Sequence, residues 1–158
     1  MSYRIAGLDP AEFAPLWAMD DKELERKGAR RAIADADRGF PCRVTLEDAL
    51  AGEPLLLVHH VHHDVAGPYR SAFAIFVREG AERAVYADRC PPCFEGRTLS
   101  LRGFDGEGAL AEARLAAPGE ADAAIRALLA DPRIAHINAH NAAHGCFAAH
   151  IERDGDAL

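Results

Sequence analysis

The sequence predicts an α+β fold, a largely antiparallel sheet with an N-terminal helical segment and one later helix packed on it. Three observations carry that expectation. Apolar or alternating runs typical of strands cluster in the middle and at the end of the chain. Capped helical signals occur near the start and again around residue 120. The order of these signals is not a regular strand–helix alternation, which favours segregated helices and an antiparallel sheet. At 158 residues, 49% of them apolar, the chain reads as one domain over 1–158 with enough material for a core.

The elements follow in order. Tyr3 to Leu8 reads as a short strand. Asp9-Pro10-Ala11-Glu12 combines an acidic N-cap, proline at N1 and glutamate at N3, a strong helix start. Phe13, Leu16 and Trp17 then share a helical face. Asp20 or Asp21 caps a second short helix that Gly28 ends. Cys42 to Leu46 alternates like a strand, and Leu55 to Val61 is a continuous apolar strand. Ala72 to Arg78 is the next strand, after the loop at Gly67-Pro68. Thr98–Phe104 and Ala109–Leu115 form a pair joined around Asp105-Gly106-Glu107-Gly108. A helix from Glu120 to Ala130 carries the stripe Ile125, Leu128, Leu129, and 134–141 with 146–152 form a terminal hairpin.

Composition narrows the function classes. A formal charge of −7 argues against a nucleic-acid or anionic-lipid surface. No basic-then-apolar leader and no bilayer-length apolar run are present, so the expectation is a soluble cytoplasmic protein with free thiols. Arginine greatly outnumbers lysine, and alanine is abundant, as in a GC-rich bacterial genome.

The chemistry-bearing residues are histidines and cysteines. All eight histidines lie in two stretches, His59-His60-Val61-His62-His63 and His136, His140, His144, His150. Imidazole is the commonest metal ligand and titrates near neutrality. In the first stretch, strand alternation puts His60 and His62 on one face and His59 and His63 on the other. The second stretch reads as a helix, with His136, His140 and His144 at i, i+4, i+8, or as a strand, with His136, Asn138 and His140 on one face. One or two histidines from each stretch would furnish a zinc site. Cys90-Pro91-Pro92-Cys93 is a C-x-x-C without a good following helix or a second such pair. Cys146 follows Gly145 near His140 and Asn141, the residue types of a cysteine nucleophile, its base and an orienting amide. Arg43, Tyr69 and Arg70 are candidates to hold a carboxylate or phosphate.

Several segments together form a pattern: Gly39-Phe40-Pro41-Cys42-Arg43, Pro68-Tyr69-Arg70, Ile75-Phe76-Val77-Arg78-Glu79, Leu99-Ser100-Leu101-Arg102, and His140-Asn141 with Gly145-Cys146-Phe147-Ala148-Ala149. Over nearly the whole chain it resembles the bacterial domain-of-unknown-function family numbered 1203. The resemblance implies a single-domain bacterial protein and transfers no activity. Cys42, Cys146, His140, Asn141 and His62 fit the pattern, whereas His59, His60 and His144 do not. His144 stands where relatives would have proline, which favours the strand reading of 134–141. Cys90 and Cys93 are particular to this chain.

The expected site therefore places Cys42 and Cys146 near His140, Asn141 and His62, with Arg43, Tyr69 or Arg70 at its rim. Three functions remain open. One is a small metal protein or enzyme, with zinc on His62 and His140. The second is a metal-free thiol site, with Cys146 as nucleophile or Cys42 and Cys146 as a redox pair. The third is a non-catalytic module that binds a small molecule or assembles.

Overall fold

The computed structural model describes residues 1–155. Among them, nine strands form two sheets beside a few short helices, an α+β arrangement. In chain order the strands are β1 (Tyr3–Ala6), β2 (Ala29–Ile33), β3 (Pro54–His63), β4 (Ser71–Arg78), β5 (Val85–Ala87), β6 (Leu99–Phe104), β7 (Leu110–Ala116), β8 (His136–Asn141) and β9 (Phe147–Arg153). The helices are α1 (Ala14–Trp17), α2 (Asp21–Arg26) and α3 (Ala121–Leu129). The larger sheet has the order β5-β1-β9-β8-β6-β7 and the smaller one β2-β3-β4, and every strand pair is antiparallel.

Helix α3 covers one face of the larger sheet. Ala121, Ile125, Leu128 and Leu129 are buried against Ile5, Leu101, Ile137, Ala139 and Ile151. This is the stripe expected from the sequence. The Arg153 guanidinium donates to the carbonyls of Leu129, Asp131 and Ile134, which satisfies carbonyls left open where α3 ends. The smaller sheet covers the other face: Leu56, Val58, Ile75 and Val77 pack with Phe13, Leu24, Val44 and Phe147. Helix α2 begins with a full capping box, Asp20 accepting from the Glu23 N–H at 2.8 Å while Glu23 accepts from the Asp20 N–H at 2.8 Å.

Four sequence expectations are corrected. Cys42–Leu46 is not a strand: Leu46 has φ 56°, and only the isolated bridges Pro41↔Asp48 and Cys42↔Phe76 form. The alternation there comes from an irregular segment whose Cys42, Val44 and Leu46 are all buried. The helical triad His136/His140/His144 does not exist, because 136–141 is strand β8 in the middle of the sheet. His63 does not sit on the face opposite His62, because a bulge breaks the alternation between Val61 and His63. Strand β2 was not anticipated; Arg30 and Arg31 are exposed on this edge strand and give it little apolar signal.

One close approach joins the N-terminal strand to the segment that follows β2. Leu8 N–H donates to the Arg43 carbonyl at 2.8 Å, and a Cβ on Gly7 would lie 2.0 Å from the Val44 carbonyl oxygen. The obstacle is backbone, which cannot swing aside. Gly7→Ala is therefore expected to lower stability by about 1–3 kcal/mol, read as a shift in urea midpoint. An unchanged midpoint would mean that the two segments separate without cost.

Candidate functional site

Two polar features lie where the sheets meet. The first is a layer of imidazoles. The β3 bulge lets the neighbouring residues His62 and His63 both turn toward the larger sheet. The His62 ring stacks on Phe147 at 5.1 Å and meets His140 edge-on at 4.8 Å. His63 stacks on Phe104 at 3.9 Å, with His136 at 5.6 Å, and His150 is 4.9 Å beyond His136. His60 faces Phe13 and Phe147. The face holding His136, Asn138 and His140 is the one the strand reading gave, and it meets the first histidine run across the layer.

Hydrogen bonds fix several of these rings. His63 Nε2 donates to the Gly108 carbonyl at 2.8 Å, and His140 Nδ1 donates to the Gly145 carbonyl at 3.0 Å. His150 Nδ1 lies 3.2 Å from Asn138 Oδ1. His62 Nδ1 and Asn138 Nδ2 are buried without a partner. Burial and the neighbouring His140 hold His62 down to about 3. Burial also lowers His136 to about 4, with His150 adding to the effect. It lowers His140 to about 4 as well, against the bond to Gly145, while Arg102 and Arg43 add to the depression. At neutral pH the His62, His136 and His140 rings are neutral.

No group of three or more His, Cys, Asp or Glu side chains among the described residues is arranged to hold a metal. His62 and His140 are brought together, as expected of ligands, but they form a pair only. Fixing the proton on His140 Nδ1 leaves Nε2 as the ring's basic nitrogen.

The second feature is a cavity of about 500 Å³ beside the β8–β9 turn. Cys146 and Asn141 line it, as do Leu57, Phe73 and Phe76 of the smaller sheet. Asn141 Nδ2 donates to the Cys146 sulfur at 3.3 Å, and Asn141 Oδ1 has no partner. Arg43 lines the cavity yet is only 2% exposed. Its Nε donates to the Phe147 carbonyl at 2.7 Å and its Nη1 to the Pro41 carbonyl. Burial lowers the Arg43 pKa, and Cys146 is the group that most opposes this by favouring the cation. No carboxylate pairs with Arg43 among the described residues, whereas Arg97, also on the cavity, is held by both oxygens of Asp48 at 2.9 and 2.7 Å.

The expected residues thus divide. Asn141, Cys146 and Arg43 converge, with Arg43 beneath the cavity and not at its rim. His140 turns into the imidazole layer and hydrogen-bonds Gly145, while the amide on Cys146 comes from Asn141. Cys42 is a buried free thiol that accepts from the Arg78 N–H at 3.3 Å, and Cys146 is likewise a free thiol. Tyr69 and Arg70 stand in the exposed β3–β4 loop, where Arg70 pairs with Asp64 at 3.0 Å. Burial pushes the Cys93 thiol up to about 12, so this half of the C-x-x-C is a packing residue in the α3 core. Phe73, Phe76, Arg97 and His144 also line the cavity and were not singled out for it. Phe73 carried a signal: it is a large aromatic in a strand flanked by alanines.

The class defined so far is an α+β protein with a buried arginine, a cysteine and an asparagine at one cavity. A family model described as "Protein of unknown function (DUF1203)" matches residues 39–153, and the chain belongs to that family. The match begins at Gly39, so it takes in Arg43, Asn141 and Cys146 together. No curated protein and no solved structure matches the chain. No helix of the described residues is long and apolar enough to cross a membrane.

Proposed function

We propose that the cavity is a metal-free thiol site in which Cys146 is the nucleophile, Asn141 orients its sulfur and Arg43 supplies positive charge behind it. The observation that carries this reading is an amide N–H 3.3 Å from a cavity-lining sulfur, with a buried, carboxylate-free guanidinium on the same cavity. Reactive cysteines sit beside positive groups with a path to solvent, and Cys146, though buried, borders a cavity, whereas packing cysteines lie among apolar groups. Cys93 is the internal contrast, deep in the core and held as a thiol. On this reading the protein is a single-domain cytoplasmic bacterial protein that acts on a small molecule. Its charge of −7 speaks against nucleic acid or anionic lipid as partner.

The test is the rate of alkylation by iodoacetamide, with modified cysteines located by peptide mass spectrometry. Cys146 is expected to react first of the four thiols, and faster than glutathione at pH 7.5. Reaction of Cys146 no faster than glutathione at pH 7.5 would end this reading. The His62–His140 pair is what favours the zinc alternative, although it brings two ligands where a catalytic zinc takes three. Near-stoichiometric zinc in tag-free protein, lost in His140→Ala, would move the site to that alternative.

A further inference from the structure

The charge and the shape of the Cys146 cavity say more than that a thiol is present. A guanidinium that is 2% exposed is ordinarily matched by a carboxylate, because leaving a buried cation uncompensated is costly. Arg97 follows that rule with Asp48. Arg43 does not: its guanidinium donates to two backbone carbonyls, of Phe147 and Pro41, and meets no carboxylate among the described residues. Among the described residues the cavity lining holds Arg43 and Arg97 and no Asp or Glu, and Asp48 already neutralises Arg97, so Arg43 leaves the lining positive although the chain carries −7. Part of the lining is apolar. Leu57, Phe73 and Phe76 border the cavity, and Phe73 is 43% exposed although it is a large aromatic on a strand. An exposed aromatic and a buried cation line one cavity of about 500 Å³, which makes it amphipathic.

We infer that this cavity binds a small organic carboxylate with an apolar or aromatic body, its carboxylate drawn to the Arg43 side beside Cys146 and its body against Phe73, Phe76 and Leu57. The volume suits a molecule of roughly ten to twenty heavy atoms, at the small end of ordinary ligand sites. The planar fork of arginine matches a carboxylate better than a point charge would. Which ligand atom meets the sulfur rests on the reading of Cys146 as nucleophile; the preference for a negative charge does not.

Iodoacetate and iodoacetamide test the inference on the unaltered protein, because they differ in charge and little in size. Rates at Cys146 are measured at pH 7.5 by peptide mass spectrometry, with glutathione as the reference thiol. The ratio of iodoacetate to iodoacetamide rates at Cys146 is expected to exceed that of glutathione about tenfold. Phenylacetate at millimolar concentration is expected to protect Cys146 from iodoacetamide, and phenylacetamide is not. A ratio equal to that of glutathione, or equal protection by the two phenyl compounds, overturns the carboxylate inference while leaving the thiol reading intact. If Cys146 reacts with neither reagent, the thiol reading fails. Ligand-observed NMR with phenylacetate and phenylacetamide then decides the inference separately: selective broadening of the acid upholds it, and no difference between the two overturns it.

Discussion

Between pH 7 and pH 5 the protein is expected to lose several kcal/mol of unfolding free energy through its imidazole layer. His62 is held to about 3 and His136 and His140 to about 4, while the same rings in the unfolded chain titrate at the ordinary 6.5. Below pH 6.5 the unfolded chain therefore takes up protons that the folded one refuses. The stabilisation is complete above pH 6.5 and is lost as the pH falls toward 4 and then 3. Each fully shifted ring accounts for at most about 2 kcal/mol by pH 5. His60 and His150 are depressed in the same direction, and Glu152 opposes the depression of His136 and His150. Typical domains have only about 5–15 kcal/mol to lose. Asp48, depressed by its bonds to Arg97 against the pull of burial, changes charge at lower pH, whereas Glu12, raised by burial, opposes the loss as the pH falls. Urea unfolding at pH 7, 6 and 5 reads the effect directly. A flat profile would show that water reaches the rings and protonates them in place. His62→Phe, which keeps the stack on Phe147 and removes a titrating group, is expected to reduce the slope.

Arg43→Met is expected to cost about 3 kcal/mol of stability, the largest effect of any single substitution at the site. The side chain is a clamp between segments far apart in sequence. Its own backbone N–H donates to the Phe76 carbonyl of β4 at 3.0 Å, and its Nε reaches the Phe147 carbonyl of β9 at 2.7 Å. Methionine fills similar space but leaves the Pro41 and Phe147 carbonyls unpaired, each a penalty of about 1–3 kcal/mol. Relief from burying a cation offsets part of that. Arg43→Lys should fall between, since an ammonium keeps the charge but cannot span two carbonyls as a fork does. Unfolding curves for the three proteins check this. A loss under about 1 kcal/mol in Arg43→Met would mean that water replaces both bonds and that the arginine is there for a ligand alone.

The sequence was most legible where a pattern repeats along a regular element. The α3 stripe, the β6–β7 pair and the β8–β9 hairpin are where periodicity and turn residues put them. The meeting of His62 with His140 was also foreseeable, because both sit at inward positions of their strands. The rest depended on local irregularity. A bulge in β3 recruits His63, and no residue type in the run announces it. A second irregularity, between Ala139 and His140 against β9, lies next to the turn that carries Asn141 and Cys146. Cys42 and Arg43 looked like successive strand residues, yet the segment makes a single parallel bridge to Phe76 and its arginine turns inward. Strand signals describe which face a residue takes; they are silent where the chain stops obeying two-residue alternation.

The bulge at His62 also bears on how this chain can change over generations. Most surface segments tolerate a gained or lost residue at small cost. The stretch from Pro54 to His63 does not have that freedom, because it already contains its one extra residue and pairs with β4 along nearly all of its length and with β2 from Pro54 to Val58. Deleting the extra residue would turn His63 away from Phe104 and Gly108, and a further insertion upstream would exchange Leu56 and Val58 for their outward neighbours. Substitution is therefore the open route for variation in this strand, and its length is fixed by the seam it closes.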